Sequence, residues 1–156
     1  MNTRFAVATY ALTFMSLAQE RMVTSDELAA SISTHPALVR RMLSMLREAG
    51  LVETQLGPGG GARLSRPPEL ISLLEVYQAI RPAEDLFAVG RISPNPDCPM
   101  GTGIQATLEC VLSKPEQALR LALGNVTIRN LLDEAAARVP QAAAAHAAAQ
   151  AVAAAQ

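Results

Sequence analysis

Between Thr24 and Gly61 the chain runs through a capped helix start, a turn, a second helix start on proline and a glycine-rich reversal, and few folds accept that order. Thr24-Ser25-Asp26-Glu27 sets a Thr three residues ahead of a Glu, a capping box that satisfies orphan amides at both positions. A helix is therefore predicted from this point, with Leu28, Ala29, Ala30 and Ile32 as its narrow apolar face. Ser33-Thr34-His35 breaks the period with turn-forming types, and Pro36 suits a first helical position because its missing N–H costs nothing there. A second amphipathic helix follows, with Leu38, Val39, Met42, Leu43, Met45 and Leu46 mostly on one side. Arg40, Arg41, Ser44 and Arg47 fall mostly elsewhere. Gly50 supplies a left-handed stop.

The next stretch narrows the fold further. Leu51 to Thr54 and Ala62 to Arg66 alternate like strands around Gly57-Pro58-Gly59-Gly60-Gly61, which predicts a β-hairpin closed by Pro67-Pro68. A phosphate-cradling loop is the rival reading of those glycines. It fails on context, because a dinucleotide fingerprint needs a helix after the loop and a P-loop needs Gly-Lys-Ser/Thr, whereas a second strand follows here and no lysine is near. The expected fold class is mainly α: a winged helix-turn-helix with a two-stranded β wing.

Five strings in order carry a family resemblance: Arg4-Phe5-Ala6-Val7, His35-Pro36-Ala37-Leu38-Val39-Arg40-Arg41, Leu46-Arg47-Glu48-Ala49-Gly50-Leu51-Val52, Gly57-Pro58-Gly59-Gly60-Gly61-Ala62-Arg63-Leu64 and Asn95-Pro96-Asp97-Cys98-Pro99. Over roughly residues 1 to 136 the chain resembles the Rrf2 family of bacterial winged-helix transcription regulators. The resemblance implies a homodimer that binds an imperfect palindromic DNA operator and usually represses, with the long C-terminal helix of each subunit crossing its partner's.

Charge is distributed to match. The net charge of -1 divides into seven Arg against five acids through Arg66 and six bases against nine acids from Pro67 onward. The positive share lies in the module expected to meet DNA, although the difference is modest and non-specific affinity should be weak. With 50% hydrophobic residues in 156, one core and an association surface can both be filled. No apolar run is long enough for a membrane span and no signal-peptide layout is present, so a cytoplasmic protein is expected.

Beyond the wing, residues 70–80 predict a short helix with Leu73, Leu74, Val76, Tyr77 and Ile80 as its apolar side. A polar, proline-rich loop over residues 91–103 precedes a longer apolar pattern from Ile104 to Leu123, in which Pro115 is expected to kink or split the helix near Ser113. Thr127 caps a final helix. The alanine tail from Gln141 offers no packing face and is expected to be disordered or frayed. The expected division is a DNA-binding domain over 1–80, a loop, dimerisation helix and final helix over 81–139, and an Ala-rich tail over 140–156.

In a helix-turn-helix the N-terminal residues of the second helix face base edges, which makes His35, Pro36, Ala37, Arg40 and Arg41 the candidates for DNA contact. Arginine is the commonest bidentate reader of guanine and binds phosphate equally well, so the bland alternative for Arg40 and Arg41 is phosphate anchoring or a solvated face. The wing, with Gly59 and Gly60 at its tip and Arg63 beyond them, is expected to reach a minor groove, the alternative being a surface arginine on an edge strand. Thr3 and Arg4 resemble a backbone-contacting segment, and Arg66 is a similar candidate. Arg47 is expected to serve the helix dipole. His35 stands where the family often has Asn.

Well-known family members hold an iron–sulfur cluster with three closely spaced cysteines in the loop before the long helix. This chain has Cys98 there and Cys110 twelve residues on, with His35 and His146 elsewhere. Four-thiolate ligation within one subunit is impossible, and no cofactor is expected. Cys98, before Pro99 and near the start of a predicted helix, where thiols gain reactivity, is the candidate for an oxidant-responsive switch, with Asp97 opposing that effect. Cys110 sits among Leu108, Val111 and Leu112 and is expected to be a small buried hydrophobe. No catalytic constellation stands out, and adjacent acids such as Asp26-Glu27, Glu84-Asp85 and Asp133-Glu134 point to different faces of a helix, so an enzyme is not expected. Two alternatives stay open: a winged helix used as a protein-interaction module, and a regulator that senses a small effector at the dimer interface.

Overall fold

Side-chain caps set the helix boundaries in the first half of the chain. In the computed structural model, which describes residues 3–18, 21–80 and 93–138, Thr24 Oγ1 accepts the Glu27 amide at 3.1 Å and starts a helix over Ser25–Ile32. Ser33, at φ 55°, ends it in the left-handed region. His35 Nδ1 then accepts the Ala37 amide at 3.2 Å and opens the next helix, Pro36–Glu48, with Pro36 in its first turn. That helix closes through Gly50 at φ 71°, a conformation few other residues adopt cheaply, and the Leu51 amide donates back to the Leu46 carbonyl at 2.9 Å.

With these limits the element order is α1 (Thr3–Leu17), α2 (Ser25–Ile32), α3 (Pro36–Glu48), β1 (Val52–Gln55), β2 (Gly61–Leu64), a 3-10 turn over Pro68–Leu70, α4 (Leu73–Ile80) and α5 (Pro99–Gly124). A last helix, α6, is described over 128–138. The two strands pair antiparallel from Val52↔Leu64 to Gln55↔Gly61. This is the expected winged helix-turn-helix, with the long helix beyond it. The alanine tail, the segment 81–92 with Glu84 and Asp85, and His146 lie outside the described residues.

Alternation along the hairpin puts Val52 and Ala62 inward and Glu53 and Arg63 outward. Ala62 also exchanges two backbone bonds of 2.8 Å with Val23, in the linker between α1 and α2. Gly61 permits this approach, since a Cβ there would lie 2.6 Å from the Val23 carbonyl oxygen. The core behind the hairpin collects Leu12 and Met15 of α1, Leu28 of α2, Met42 and Leu46 of α3, Val76 of α4, and Ile71.

Ile128 is in the same core at 0% exposure, although it comes from the far end of the chain. It is brought there by two backbone bonds, Leu73 N–H to the Val126 carbonyl at 2.8 Å and Ile128 N–H to the Ile71 carbonyl at 2.9 Å. Thr127 caps α6 as expected: its Oγ1 accepts the Asn130 amide and Asn130 Oδ1 accepts the Thr127 amide.

Four sequence expectations are corrected. Leu38 is 36% exposed rather than part of the apolar seam of α3, because it falls on the outer edge of the arc that Val39, Met42 and Leu46 bury. The long helix begins at Pro99, not Ile104; Pro99 fits a first turn, and the Thr102 hydroxyl bonds the Pro99 carbonyl at 3.0 Å. Pro115 does not split that helix, whose C-terminal turns return to the core through Leu123. Cys110 is exposed, because α5 has no buried residue among its 26.

Ile128→Ala is expected to lower the unfolding free energy by about 2–5 kcal/mol, the usual cost of a core Ile→Ala cavity, while Leu38→Ala should cost under about 1 kcal/mol. Urea denaturation of both variants beside the parent measures the difference.

Candidate nucleic-acid interface

The outer surface of the helix-turn-helix brings together the residues expected to meet DNA. His35, Ala37, Arg40 and Arg41 are exposed along the first turns of α3, and Pro36 is half-buried beside them. Because His35 Nδ1 is spent as the acceptor of the Ala37 amide, the neutral ring carries its proton on Nε2 and presents a donor outward. Histidine thus fills the cap that asparagine commonly fills.

The two arginines of α3 differ in their surroundings. Arg40 donates from Nε to Ser25 Oγ at 3.1 Å and from one terminal nitrogen to Asp26 Oδ1 at 3.2 Å, so the first turn of α2 holds it. Arg41 is exposed and has no ion-pair or hydrogen-bond partner among the described residues. The same holds for Arg4, exposed beside Thr3 at the start of α1, and for Arg47 in the last turn of α3. Sequence reasoning missed Ser25 and Asp26 as neighbours of Arg40. Asp26 lies in the first turn of α2, and nothing in a linear pattern tells which distant cation it faces.

On the wing, Arg63 donates twice to Glu53 Oε2, at 3.1 and 2.9 Å, across a directly opposed pair of the hairpin. The tip beyond it carries no charge: Leu56, 95% exposed, leads Gly57, Pro58, Gly59 and Gly60. A Cβ at Gly60 would lie 2.3 Å from the Gln55 carbonyl oxygen, so the reversal depends on glycine there.

Arg66 is half-buried and pairs with Glu75 of α4, tying the wing's exit to the helix behind it. Glu75 also accepts the Ser72 amide and hydroxyl, both at 2.9 Å. Burial pushes the Glu75 carboxyl up, but the Ser72 bonds and the Arg66 guanidinium together outweigh it and hold it below its ordinary value.

Cys98 is exposed at the N-cap of α5 and its side chain makes no capping bond. Cys98 and Cys110 are about 18 Å apart along the helix at 1.5 Å per residue, too far to share one iron–sulfur cluster. Among the described residues no group of three His, Cys, Asp or Glu could hold a metal ion. Within one subunit the two thiols therefore cannot bind the same cluster, and no helix of the described residues is long and apolar enough to cross a membrane.

Comparison with known proteins agrees with the geometry. The family model Rrf2, described as an iron-dependent transcriptional regulator, matches residues 1–134. YwnA of Bacillus subtilis, named as a candidate HTH-type transcriptional regulator, is 36% identical over 133 residues, covering 85% of this chain and 97% of its own. IscR of Cereibacter sphaeroides, an HTH-type transcriptional regulator, is 31% identical over 93 residues, 58% of this chain and 60% of its own. Among solved structures, CymR, the global cysteine regulator of B. subtilis, superposes with a TM-score of 0.64 at 17% identity, over 86% of this chain and 96% of that one, a likeness of fold.

Two outcomes test this geometry. His35→Ala should cost about 1 kcal/mol of stability and His35→Asn much less, as read by thermal or urea unfolding. Glu75, held below its ordinary 4.5, contributes stability that is full above that value and lost as pH falls through its folded value. Both partners are over a third exposed, so Glu75→Gln should cost about 1 kcal/mol or less near neutral pH. Urea titrations at descending pH should show the variant converging on the parent below about pH 4.5.

Proposed function

The chain belongs to the Rrf2 family of DNA-binding transcriptional regulators, and on that premise we propose that it acts as a homodimeric repressor on a palindromic operator, without an iron–sulfur cluster. The observation that carries the dimer is α5. Its N-terminal half leaves Met100, Ile104, Leu108 and Val111 exposed at three- and four-residue spacing, a continuous apolar stripe that the described residues of this subunit do not cover. A second copy of α5 laid across it would bury both stripes. Two reading helices then stand at a fixed separation, which is what a palindrome requires.

Major-groove contacts are assigned to His35, Pro36, Ala37, Arg40 and Arg41 on α3, with at least one of the two arginines on a base, and backbone contacts to Thr3 and Arg4. The wing tip with Gly59 and Gly60 and the Arg63 behind it are assigned to the minor groove. Arg66 is assigned to hold the wing against α4. Its engagement with Glu75 supports that role better than a phosphate contact.

The cluster-free reading rests on the spacing of the two thiols. Cys98 remains the input we assign, since it is exposed and lies at the end of the helix that would join the subunits. Its oxidation by a peroxide to a sulfenic acid, with the peroxide reduced to water or an alcohol, would add a polar group beside the interface.

Reduced protein should bind DNA from upstream of its own gene far more tightly than an unrelated duplex, with affinity falling steeply between two salt concentrations, as read by fluorescence anisotropy. Ile104→Glu should abolish dimers in light-scattering chromatography and take operator binding with it, and Cys98→Ser should remove any response to peroxide. Equal, weak binding to both duplexes would point instead to a protein-interaction module.

A further inference from the structure

Arg40 is not a free cation. A guanidinium has two edges that can each present a pair of parallel N–H groups: a side edge, formed by Nε and one terminal nitrogen, and an end edge, formed by the two terminal nitrogens. In this protein the first turn of α2 occupies the side edge. Ser25 Oγ accepts from Nε at 3.1 Å and Asp26 Oδ1 accepts from a terminal nitrogen at 3.2 Å. Both acceptors belong to the helix that precedes α3, so the guanidinium is braced from outside the helix that carries it.

The remaining end edge has the donor spacing that matches O6 and N7 of guanine in the major groove. We propose that Arg40 reads one guanine in each half-site through its end edge, and that Ser25 and Asp26 are positioning residues that select this edge. The inference rests on the reading of the chain as an operator-binding regulator. It separates the two adjacent arginines: Arg40 is braced for a base, whereas Arg41, with no partner among the described residues, is left to the phosphates.

Asp26 is 70% exposed and its pair with Arg40 is worth little in water, so it adds nothing appreciable to stability. Its effect falls on orientation. A carboxylate near the DNA also repels phosphate, which gives its removal two opposite signatures: affinity for all duplexes should rise, and discrimination at one base should fall. A residue that acted only through charge or helix capping would move the first and leave the second alone.

The test replaces each guanine of the operator half-site, one at a time, by its deaza analogue lacking N7, and measures anisotropy titrations with the full chain. At one guanine the substitution should cost the parent about tenfold or more, cost Arg40→Ala almost nothing further, and cost Asp26→Ala only a few-fold. Asp26→Ala should bind an unrelated duplex as tightly as the parent or more so. Asp26→Asn, which keeps an acceptor at that position, should restore part of the discrimination. Specific operator binding with no guanine of this kind, or with the same sensitivity in parent and Asp26→Ala, overturns the proposal. Loss of all sequence preference in the parent overturns the operator-binding reading and this inference with it.

Discussion

Two backbone hydrogen bonds between Val23 and Ala62 fix the geometry on which DNA reading depends. A two-stranded hairpin alone is marginal in water, and its orientation relative to the helices is not set by its own pairing. The Val23 pair adds a one-residue bridge on the other edge of β2, from the linker that leads into α2. The wing thereby inherits its position from the same segment that aims α2 and, through the turn, α3. Ala62 is fully buried and Gly61 has no room for a side chain, so the joint leaves little freedom for the wing to shift alone.

Electrostatics on this surface is a matter of exchange rather than surplus. Arg63 faces Glu53, Arg40 faces Asp26, Arg66 faces Glu75 and Arg21 faces Glu27, so four of the module's seven arginines are already partnered before DNA arrives. The first two pairs are exposed and individually weak, so a phosphate can take over the Arg63 guanidinium at small cost, while Arg40 keeps its end edge open for a base beside Asp26. The net charge of -1 over the whole chain is thus compatible with a DNA surface. Such a surface gives up strong non-specific attraction and leans on fit.

What the sequence discloses are the features written locally. Thr24, Pro36 and Gly50 mark helix limits through their own backbone preferences, and the glycine run marks the reversal without reference to anything distant. The apolar spacing of α3 was legible in period but not in width, since whether Leu38 is covered depends on what lies opposite it. Pro115 shows a similar limit: propensity argues for a break, whereas packing of the following turns through Leu123 retains the helix. The pairings of Arg40 and Arg63 were invisible because each joins residues ten or more positions apart. Cys110 among leucines has an internal pattern, although no described residue of one subunit buries that part of α5.

Ile128 has a bearing on how the molecule comes into being. A chain made from its N-terminus completes the helix-turn-helix and wing by residue 70, yet the core behind them is closed by a side chain nearly sixty residues later and by the bonds that Ile71 and Leu73 share with that segment. The nascent DNA module therefore waits with an open apolar pocket. Ile128, at the start of α6, can fill that pocket only once synthesis has passed it.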